Sequence, residues 1–362
     1  MDKFAYMEKY DYEQLCFFQD KSTGLKAIVC IHDTVLGPGL GGTRVWNYEN
    51  EEEAVLDVLR LARGMTYKNA MASLPLGGGK AVVLADAKEL QKDSVRAEAF
   101  WRAFGRFVEG LSGRYITAMD VGTRVQDMVY IHAETNNVVC LPGRSGSPSP
   151  FTALGVYRSI LACAKHVYGE DSVAGKRVMV QGMGSVGYGL CELLHKNGAE
   201  LLVSDIDEKK VEQAVAEFGA IRVEPEAVFS VDCDIYAPCA LGATINDETI
   251  PQLTCKIICG GANNILKEPS VHGKALQDRG IVFAPDYVVN AGGVINVAQE
   301  LVEGGYSAEA ATREVERIYD RILEILRTSA ESSRLPHEVA DEMAEARIIA
   351  IRRVKSISTG KR

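Results

Sequence analysis

The 362-residue sequence lacks several features that define whole classes of protein. No run of 18 apolar residues is present, which argues against a transmembrane helix. Seven charged side chains lie within the first 20 residues, unlike the apolar stretch of a secretory signal. Nine cysteines form no Cys-x-x-Cys pair and six histidines show no ligand spacing, so we expect neither a disulfide framework nor a metal site. The thiols are expected to be buried, in a reducing cytoplasm.

Positive charge is also in short supply, with 40 Lys and Arg residues against 49 Asp and Glu and a net charge of −9. This balance argues against nucleic acid or an anionic membrane as a partner. The 11 prolines and 34 glycines follow no period, which excludes collagen-like repeats. An apolar fraction of 47% is typical of a globular chain, and the length suggests two domains of about 150 residues each.

Strand-like and helical segments alternate along both halves of the chain, which predicts an α/β fold. The strand-like runs are 26–31, 81–84, 115–118, 177–181, 201–204, 235–237, 257–259 and 281–283, and helical patterns begin at Asn50, Asp93, Phe151 and Tyr188. The segment PGRSGSPSP, 142–150, is predicted to be a loop or hinge. We expect an N-terminal domain at 1–148, a second domain at 149–333 and a C-terminal helical segment, 334–362, that packs back on the first. The strand at 26–31 is expected at an open sheet edge that oligomerisation would cover.

The most specific local motif is GMGSVG at 182–187, which follows a strand and opens a helix. Gly182 permits the tight turn, Gly184 lets backbone approach a pyrophosphate, and Gly187 lets the helix pack on the strand. Asp205 ends the next strand, where a carboxylate can bind ribose hydroxyls and repel a 2′-phosphate. The motif predicts a dinucleotide site that prefers NAD.

A second concentration of functional residues lies in the first half. Lys68 lies near the end of an amphipathic helix, Lys80 follows the glycines at 77–79, and Asp120 ends a strand. The three glycines are expected to leave space for a ligand. One lysine can hold a carboxylate, the other can polarise a carbonyl or activate water, and the aspartate can transfer protons. This set favours chemistry on an amino or keto acid.

Eight motifs carry a resemblance over nearly the whole chain. They are LGPGLGGTR (36–44), RGMTYKNA (63–70), LGGGKAV (76–82), YITAMDVGT (115–123), GMGSVG (182–187), CDIYAPCALGATINDETIPQL (233–253), GGANN (260–264) and APDYVVNAGGVINVAQE (284–300). In this order they resemble the amino-acid dehydrogenase superfamily of glutamate, leucine, phenylalanine and valine dehydrogenases, and most closely its leucine branch. The resemblance implies two domains around a cleft, namely an α/β domain for substrate binding and oligomerisation and a doubly wound Rossmann-type domain.

The resemblance also implies an activity and the residues that carry it. The expected reaction is the NAD-dependent, reversible oxidative deamination of a branched-chain L-amino acid to its 2-oxo acid and ammonia, in a homo-oligomer, with an octamer favoured over a dimer. Lys68 matches the lysine that holds the substrate carboxylate, Lys80 the catalytic lysine and Asp120 the proton relay. The remaining expected site residues are Leu40, Gly41, Gly42, Met65, Val294 and Val297 for the substrate, and Gly182, Met183, Gly184, Ser185, Val186, Gly187, Asp205, Ile206, Ala240, Asn263 and Asn290 for the cofactor.

The chemistry of three side chains favours an aliphatic substrate. By resemblance, glutamate-specific relatives have a lysine at the position of Leu40 and a serine at that of Val297. The apolar Leu40, Val294 and Val297 would leave a glutamate carboxylate without a partner, at a cost of several kcal/mol. A branched aliphatic side chain would instead gain roughly 1.5–3 kcal/mol by burial. A valine- or phenylalanine-preferring enzyme and a non-catalytic NAD-binding regulator remain alternatives at this stage.

Overall fold

The computed structural model describes residues 2–240 and 242–356. The chain divides into two compact units. The first unit comprises the residues up to Ser147, Val297–Ser307 and the chain from Ala344 onwards. The second comprises Pro148–Asn296 and Ala308–Met343.

The first unit is built on a mixed five-stranded sheet. Its elements before the crossing are α1 (Lys3–Tyr10), β1 (Gln14–Asp20), β2 (Leu25–Asp33), β3 (Gly39–Trp46), α2 (Glu51–Met71), β4 (Gly77–Leu84), α3 (Ala87–Leu90), α4 (Ser94–Glu109), β5 (Tyr115–Met119) and α5 (Val125–His132). The strand order is β1-β2-β4-β3-β5. β2 pairs antiparallel with β1 and β4, whereas β3 runs parallel to β4 and β5.

The expectation that the strand at 26–31 forms a sheet edge is wrong. That run lies in β2, which is paired on both sides by β1 and β4. Among the described strands of this sheet, the edges are β1 and β5. The sequence analysis did not predict β1, whose four consecutive apolar residues, 15–18, lie in a strand that is only partly buried.

Helix α2 forms for the reasons that its sequence suggests. Asn50 caps its N-terminus, with Oδ1 accepting a hydrogen bond from the Glu53 N–H at 2.9 Å. Three glutamates in the first turn suit the positive end of the helix dipole. Its apolar face packs on β2 and β4, and this core includes Ala54, Val55, Val58, Leu59, Ala62, Ile28, Cys30 and Val82. The predicted start and face of this helix are confirmed.

The second unit contains a parallel six-stranded sheet. Its elements are α6 (Ser149–Tyr168), β6 (Arg177–Gln181), α7 (Ser185–Lys196), β7 (Glu200–Ser204), α8 (Glu208–Phe218), β8 (Ile221–Arg222), β9 (Ile235–Pro238), β10 (Ile257–Ile258), α9 (Pro269–Asp278), β11 (Val282–Phe283), α10 (Asp286–Val289), α11 (Gly292–Ala298), which ends across the unit boundary, α12 (Ala308–Glu316) and α13 (Ile318–Ser332). The strand order β8-β7-β6-β9-β10-β11 is 3-2-1-4-5-6 when counted within the unit, which is the order of the Rossmann fold. The expected α/β class with a Rossmann-type sheet is confirmed.

Two predicted boundaries shift. α7 begins at Ser185, inside the glycine motif, rather than at Tyr188, because Gly184 already serves as its N-cap. α6 begins at Ser149, so the last residues of the predicted loop 142–150 are helical. Proline is tolerated in a first helical turn, which explains why PSP does not delay this helix.

The last helix, α14 (Pro336–Lys355), belongs partly to each unit. In the first unit, Arg347 donates hydrogen bonds to the carbonyl oxygens of Asn69, Ala70 and Leu74 at 3.3, 2.7 and 2.8 Å. These bonds satisfy carbonyls at and just beyond the C-terminus of α2. From the sequence, we expected the chain to rejoin the first unit at residue 334. In the structure, it rejoins that unit at Ala344. Residues 357–362 of the expected segment lie outside the described residues.

The segment Val297–Ser307 also belongs to the first unit, which the sequence did not indicate. The buried Glu300 anchors it, because Oε1 accepts hydrogen bonds from the N–H groups of Cys140, Leu141 and Ser145 at 2.9, 3.3 and 3.2 Å. The Ser145 hydroxyl donates to the same oxygen. This carboxylate therefore ties the segment to the loop that precedes α6.

Among the helices within residues 2–240 and 242–356, none is long and apolar enough to cross a membrane. All nine cysteines are free thiols, and seven of them are buried.

We expect Glu300→Ala to lower the free energy of unfolding by about 3 kcal/mol, because three backbone N–H groups and a serine hydroxyl lose their acceptor in a buried place. Glu300→Gln keeps an acceptor oxygen and should lose less. Glu303→Ala, in the exposed part of the same segment, is the matched control. Urea denaturation measures all three, and equal losses for Glu300→Ala and Glu303→Ala would contradict the anchoring role.

Candidate functional site

Lys80 and Asp120 meet across a glycine on the strand between them. The register of β3 puts Gly42 between Lys80 of β4 and Ala118 of β5. Neighbouring residues of parallel strands share a face, so the missing side chain of Gly42 leaves a path for Lys80. The Lys80 Nζ lies 3.1 Å from the Asp120 Oδ2. A Cβ at Gly42 would lie 2.8 Å from the Cβ of Asp120, so alanine there would crowd the carboxylate.

The glycines at 77–79 do not leave space for a ligand, and this expectation is wrong. All three are buried in β4. A Cβ at Gly77 would lie 1.9 Å from the Asp33 carbonyl oxygen, and one at Gly78 2.1 Å from the Thr66 hydroxyl oxygen. The glycines therefore let neighbouring backbone and helix α2 approach the sheet closely. The conformational freedom of glycine suggested a ligand, but the space is filled by the protein itself.

Asp120 is held as an anion by two cations. Burial alone would raise its pKa, but the positive charges of Lys80 and Arg44 outweigh burial and lower the pKa to about 2. The Arg44 Nε donates to the Oδ2 of Asp120 at 3.0 Å, the same oxygen that Lys80 contacts. Asp120 is therefore ionised at neutral pH and accepts hydrogen bonds from both cations.

Sequence reasoning missed Arg44 and its support. The Arg44 Nη1 donates to the Oδ2 of Asp57 on α2 at 3.2 Å, and the Tyr48 hydroxyl donates to that oxygen at 2.6 Å. Burial, together with Asp57, raises the pKa of Tyr48. The signal was present in LGPGLGGTR, since Arg44 lies two residues after Gly42 and so on the same face of β3.

Lys68 lies half-buried in the last turn of α2, as its position in the sequence suggested. Its neighbours on the helix contact the start of β4. Thr66 packs against Gly78, and the Asn69 Nδ2 donates to the Gly77 carbonyl oxygen at 2.5 Å. The same packing places Lys68 on the helix that covers the sheet face bearing Lys80.

The predicted substrate residues divide between the two units. In the first unit, Leu40 of β3 is fully buried, and the Met65 Cγ lies 3.2 Å from where a Cβ of Gly41 would stand. A Cβ at Gly41 would also lie 1.8 Å from the Gly79 carbonyl oxygen, so this glycine is required by strand packing. Val297 is buried in the first unit and Val294 is buried in the second.

The glycine motif has the geometry that its sequence predicts. Gly182 has φ of 98°, and a Cβ there would lie 2.7 Å from the Cβ of Ala240, so the turn is tight and close to the end of β9. A Cβ at Gly187 would lie 1.9 Å from the Gly182 carbonyl oxygen. At Gly184, in contrast, no described atom lies within 4 Å of a Cβ position. Open space at Gly184 fits the approach of a pyrophosphate.

This motif lies where the strand order reverses. β6, which leads into Gly182, has β7 on one side and β9 on the other. The chain runs from β6 to β7 and β8 toward one edge of the sheet and then returns to β9, from which it continues toward the other edge. Ligands of open α/β sheets bind outside the carboxyl ends of the strands at this point. The N-terminus of α7 carries no side-chain cap among the described residues, so its N–H groups can serve a bound anion. Ser185 and Val186 form the first turn of that helix.

Asp205 follows β7 and contacts the motif directly. Its Oδ2 accepts a hydrogen bond from the Met183 N–H at 2.6 Å, and its Oδ1 accepts one from the Asp207 N–H at 2.8 Å. A carboxylate has about four acceptor sites, so both oxygens can still bind hydroxyl groups. Ile206, the next residue, is 95% exposed. An apolar side chain so exposed beside an acceptor suits the flat face of a base.

Asn263 and Asn290 are brought together at the far side of the motif. The Asn290 Nδ2 donates to the Asn263 Oδ1 at 2.8 Å. The buried Asn290 Oδ1 has no hydrogen-bond partner among the described residues. A Cβ at Gly261, next to this pair, would lie 2.8 Å from the Val186 Cγ1, so the segment packs on the start of α7. An orphaned buried acceptor, open space at Gly184 and an uncapped helix end together fit a dinucleotide. Among residues 2–240 and 242–356, no cluster of three or more His, Cys, Asp or Glu side chains is placed to hold a metal ion.

Comparison with known proteins gives the same picture. Residues 13–137 match the family model described as "Glu/Leu/Phe/Val dehydrogenase, dimerisation domain", and residues 200–361 match "Glutamate/Leucine/Phenylalanine/Valine dehydrogenase". The chain is 57% identical to the leucine dehydrogenase of Bacillus subtilis over 98% of this chain and 96% of that protein. It is 56% identical to the leucine dehydrogenase of Thermoactinomyces intermedius over the same shares.

A solved structure is also similar over nearly the whole length. The crystal structure of L-tryptophan dehydrogenase from Nostoc punctiforme has a TM-score of 0.82 and 43% sequence identity, and the match covers 97% of this chain and 99% of that one.

We expect Gly184→Ala and Gly187→Ala to fail in different ways. Gly184→Ala meets open space, so it should fold normally and bind dinucleotide at least about tenfold more weakly by crowding the pyrophosphate. Gly187→Ala meets the Gly182 carbonyl oxygen and should lower the free energy of unfolding by about 1–3 kcal/mol. Denaturation and fluorescence titration with NADH measure the two effects. A destabilised Gly184→Ala protein, or a fully stable Gly187→Ala protein, would contradict these assignments.

Proposed function

The chain belongs to the Glu/Leu/Phe/Val dehydrogenase family, and from this premise we propose that it catalyses the reversible oxidative deamination of leucine, and also of valine and isoleucine, to the 2-oxo acid and ammonia. The family and the Rossmann sheet imply a nicotinamide cofactor. The observation that carries the proposal is the pairing of the buried Lys80 with the partly exposed Asp120 at 3.1 Å, in the unit that also holds Lys68. Two lysines and a paired carboxylate supply the acid–base groups that a regulator without catalytic activity would not need.

The reaction assigns a separate task to each of these residues. A nicotinamide cofactor, when bound, would supply the hydride acceptor for the α-carbon of the amino acid. Lys68 binds the substrate carboxylate and fixes the α-carbon. Lys80 polarises the carbonyl oxygen in the amination direction and activates the water that adds to the substrate iminium in the other. Asp120, 3.1 Å from Lys80, takes the proton that the amine must lose and passes it on.

The side-chain preference is argued from the buried apolar residues. Leu40, Val294 and Val297 are all buried and none offers a polar group. A substrate carboxylate beside Leu40 and Val297 of the first unit would be desolvated without a partner, whereas an aliphatic side chain gains by burial. The preference among leucine, valine and isoleucine then follows from volume, since one methylene is worth about 1–3 kcal/mol.

The assay is NADH oxidation with ammonia and one of four acids, 2-oxoisocaproate, 2-oxoisovalerate, phenylpyruvate or 2-oxoglutarate. We expect turnover with the two aliphatic acids and little with 2-oxoglutarate. Lys80→Ala should abolish nearly all kcat and leave NADH binding intact, because the glycine motif lies in the other unit. Lys68→Ala should mainly raise KM for the 2-oxo acid, and for the amino acid in the reverse assay, because both carry the carboxylate that it binds. Asp120→Asn should lower kcat by about 10²-fold or more. Near-normal turnover by Lys80→Ala or Asp120→Asn would refute the proposal.

The proposed cofactor is NAD rather than NADP, and Asp205 supports it. A carboxylate at this place repels a 2′-phosphate. Asp205→Ser should narrow the ratio of kcat/KM for NAD over NADP by about tenfold or more. Asp207→Asn removes a nearby negative charge without changing the residue after β7, and it should narrow the ratio less. Equal use of both cofactors by the unchanged protein would show that Asp205 does not select.

We also propose a homo-oligomeric assembly in the cytoplasm. The match of residues 13–137 to a dimerisation domain supports self-association, and edge strand β1 offers unpaired backbone groups for it. The resemblance favours an octamer over a dimer. Nine free thiols suit a reducing compartment.

A further inference from the structure

We propose that Arg44, braced by Asp57, is a positioning residue that shares one oxygen of Asp120 with Lys80 and governs how readily the carboxylate exchanges a proton. The inference rests on the proposed function, because it assigns a device for tuning the relay of that reaction. Arg44 contacts no reacting atom in this assignment and acts through Asp120.

The two cations converge on a single oxygen. Arg44 Nε and Lys80 Nζ lie 3.0 and 3.1 Å from the Oδ2 of Asp120, and among the described residues neither they nor any other side chain bonds its Oδ1. The Asp120 side chain retains 21% exposure. One oxygen is therefore fixed by the protein while the other stays free to take a proton from a substrate amine.

Arg44 reaches Asp120 in a fixed orientation. Its planar guanidinium bonds two carboxylates through different nitrogens, Nε to Asp120 and Nη1 to Asp57. The Tyr48 hydroxyl donates to the same Asp57 oxygen and so holds the outer end of the chain of contacts. Positive and negative charges alternate along the contacts of Lys80, Asp120, Arg44 and Asp57. These four side chains can therefore be largely buried, because their charges sum to zero.

The energetic consequence concerns the proton affinity of Asp120. The groups that contact it are Lys80 from β4 and Arg44 from β3, and Asp57 of α2 acts through Arg44. Tyr48 and Tyr115 interact with the charge of Asp120 without contacting it. Burial raises the pKa of Asp120, and Lys80 and Arg44 lower it to about 2. When Lys80 turns to the substrate, Arg44 remains as the counter-ion, so the carboxylate stays ionised until the substrate delivers its proton.

The test is the pH dependence of kcat/KM for deamination in three variants. Arg44→Met removes one of the two cations, so the acid limb should move up by about one pH unit. Asp57→Asn removes the carboxylate that competes with Asp120 for Arg44, so the acid limb should stay at the same pH or move to lower pH. Arg44→Lys keeps the charge and loses the fork, so its limb should stay close to that of the unchanged protein while kcat falls.

Two further variants keep the test decisive. Arg44→Met with Asp57→Asn removes the charge pair together, so it avoids an unpaired buried aspartate and should still show the upward shift. In an Asp120→Asn background, Arg44→Met should leave the profile where it is, because Arg44 acts through Asp120. Parallel losses of kcat with unmoved limbs, or equal shifts with and without Asp120, would overturn the inference. Absence of turnover by the unchanged protein would instead refute the proposed function.

Discussion

A lysine buried within a β-sheet needs a counter-charge, and much of the first unit follows from meeting that need. Lys80 finds it in Asp120, two strands away, only because β3 carries glycine at the point of crossing. The pair in turn requires β3 to run parallel between β4 and β5 in one register, since a shift by one residue would turn a different face toward the lysine. Close strand and helix contacts at Gly77–Gly79 then hold that register.

The second unit depends on topology rather than on a single pair. The return of the chain from β8 to β9, on the other side of β6, creates the point at which the strand order reverses, and the glycine motif lies at this point. At Gly182 and Gly187, neighbouring protein atoms occupy the space that a side chain would need, whereas Gly184 faces open space. The three glycines of this short motif thus serve two different purposes, close packing and open approach, in agreement with the roles that the sequence predicted for them.

The sequence carried the local features well. A capped amphipathic helix after Asn50 and the strand–turn–helix around Gly182 depend on residues close in the chain, and both are present as expected. Features that depend on pairing between distant strands were not accessible. The sequence analysis did not predict β3, because its glycines have low strand propensity. Strand alternation puts Arg44 on the same face as Gly42, but its contact with Asp120 also depends on the pairing of β3 with β5, which the sequence does not show. The attachment of Val297–Ser307 depends on one buried carboxylate, and no local pattern in its sequence distinguishes Glu300 from the exposed Glu303.

The hydrogen bond from the Met183 N–H to Asp205 links the proposed choice of cofactor to the backbone conformation of the glycine motif. The carboxylate that we propose binds the ribose also accepts a hydrogen bond from the backbone of the glycine motif. Selection for the other cofactor, in evolution or in the laboratory, therefore acts on the shape of the turn as well as on charge. Any substitution of Asp205 has to leave an acceptor for the Met183 N–H. Asparagine and serine keep such an acceptor, so they are favoured over an apolar residue at this position. Cofactor choice in this fold is thus constrained by a backbone hydrogen bond.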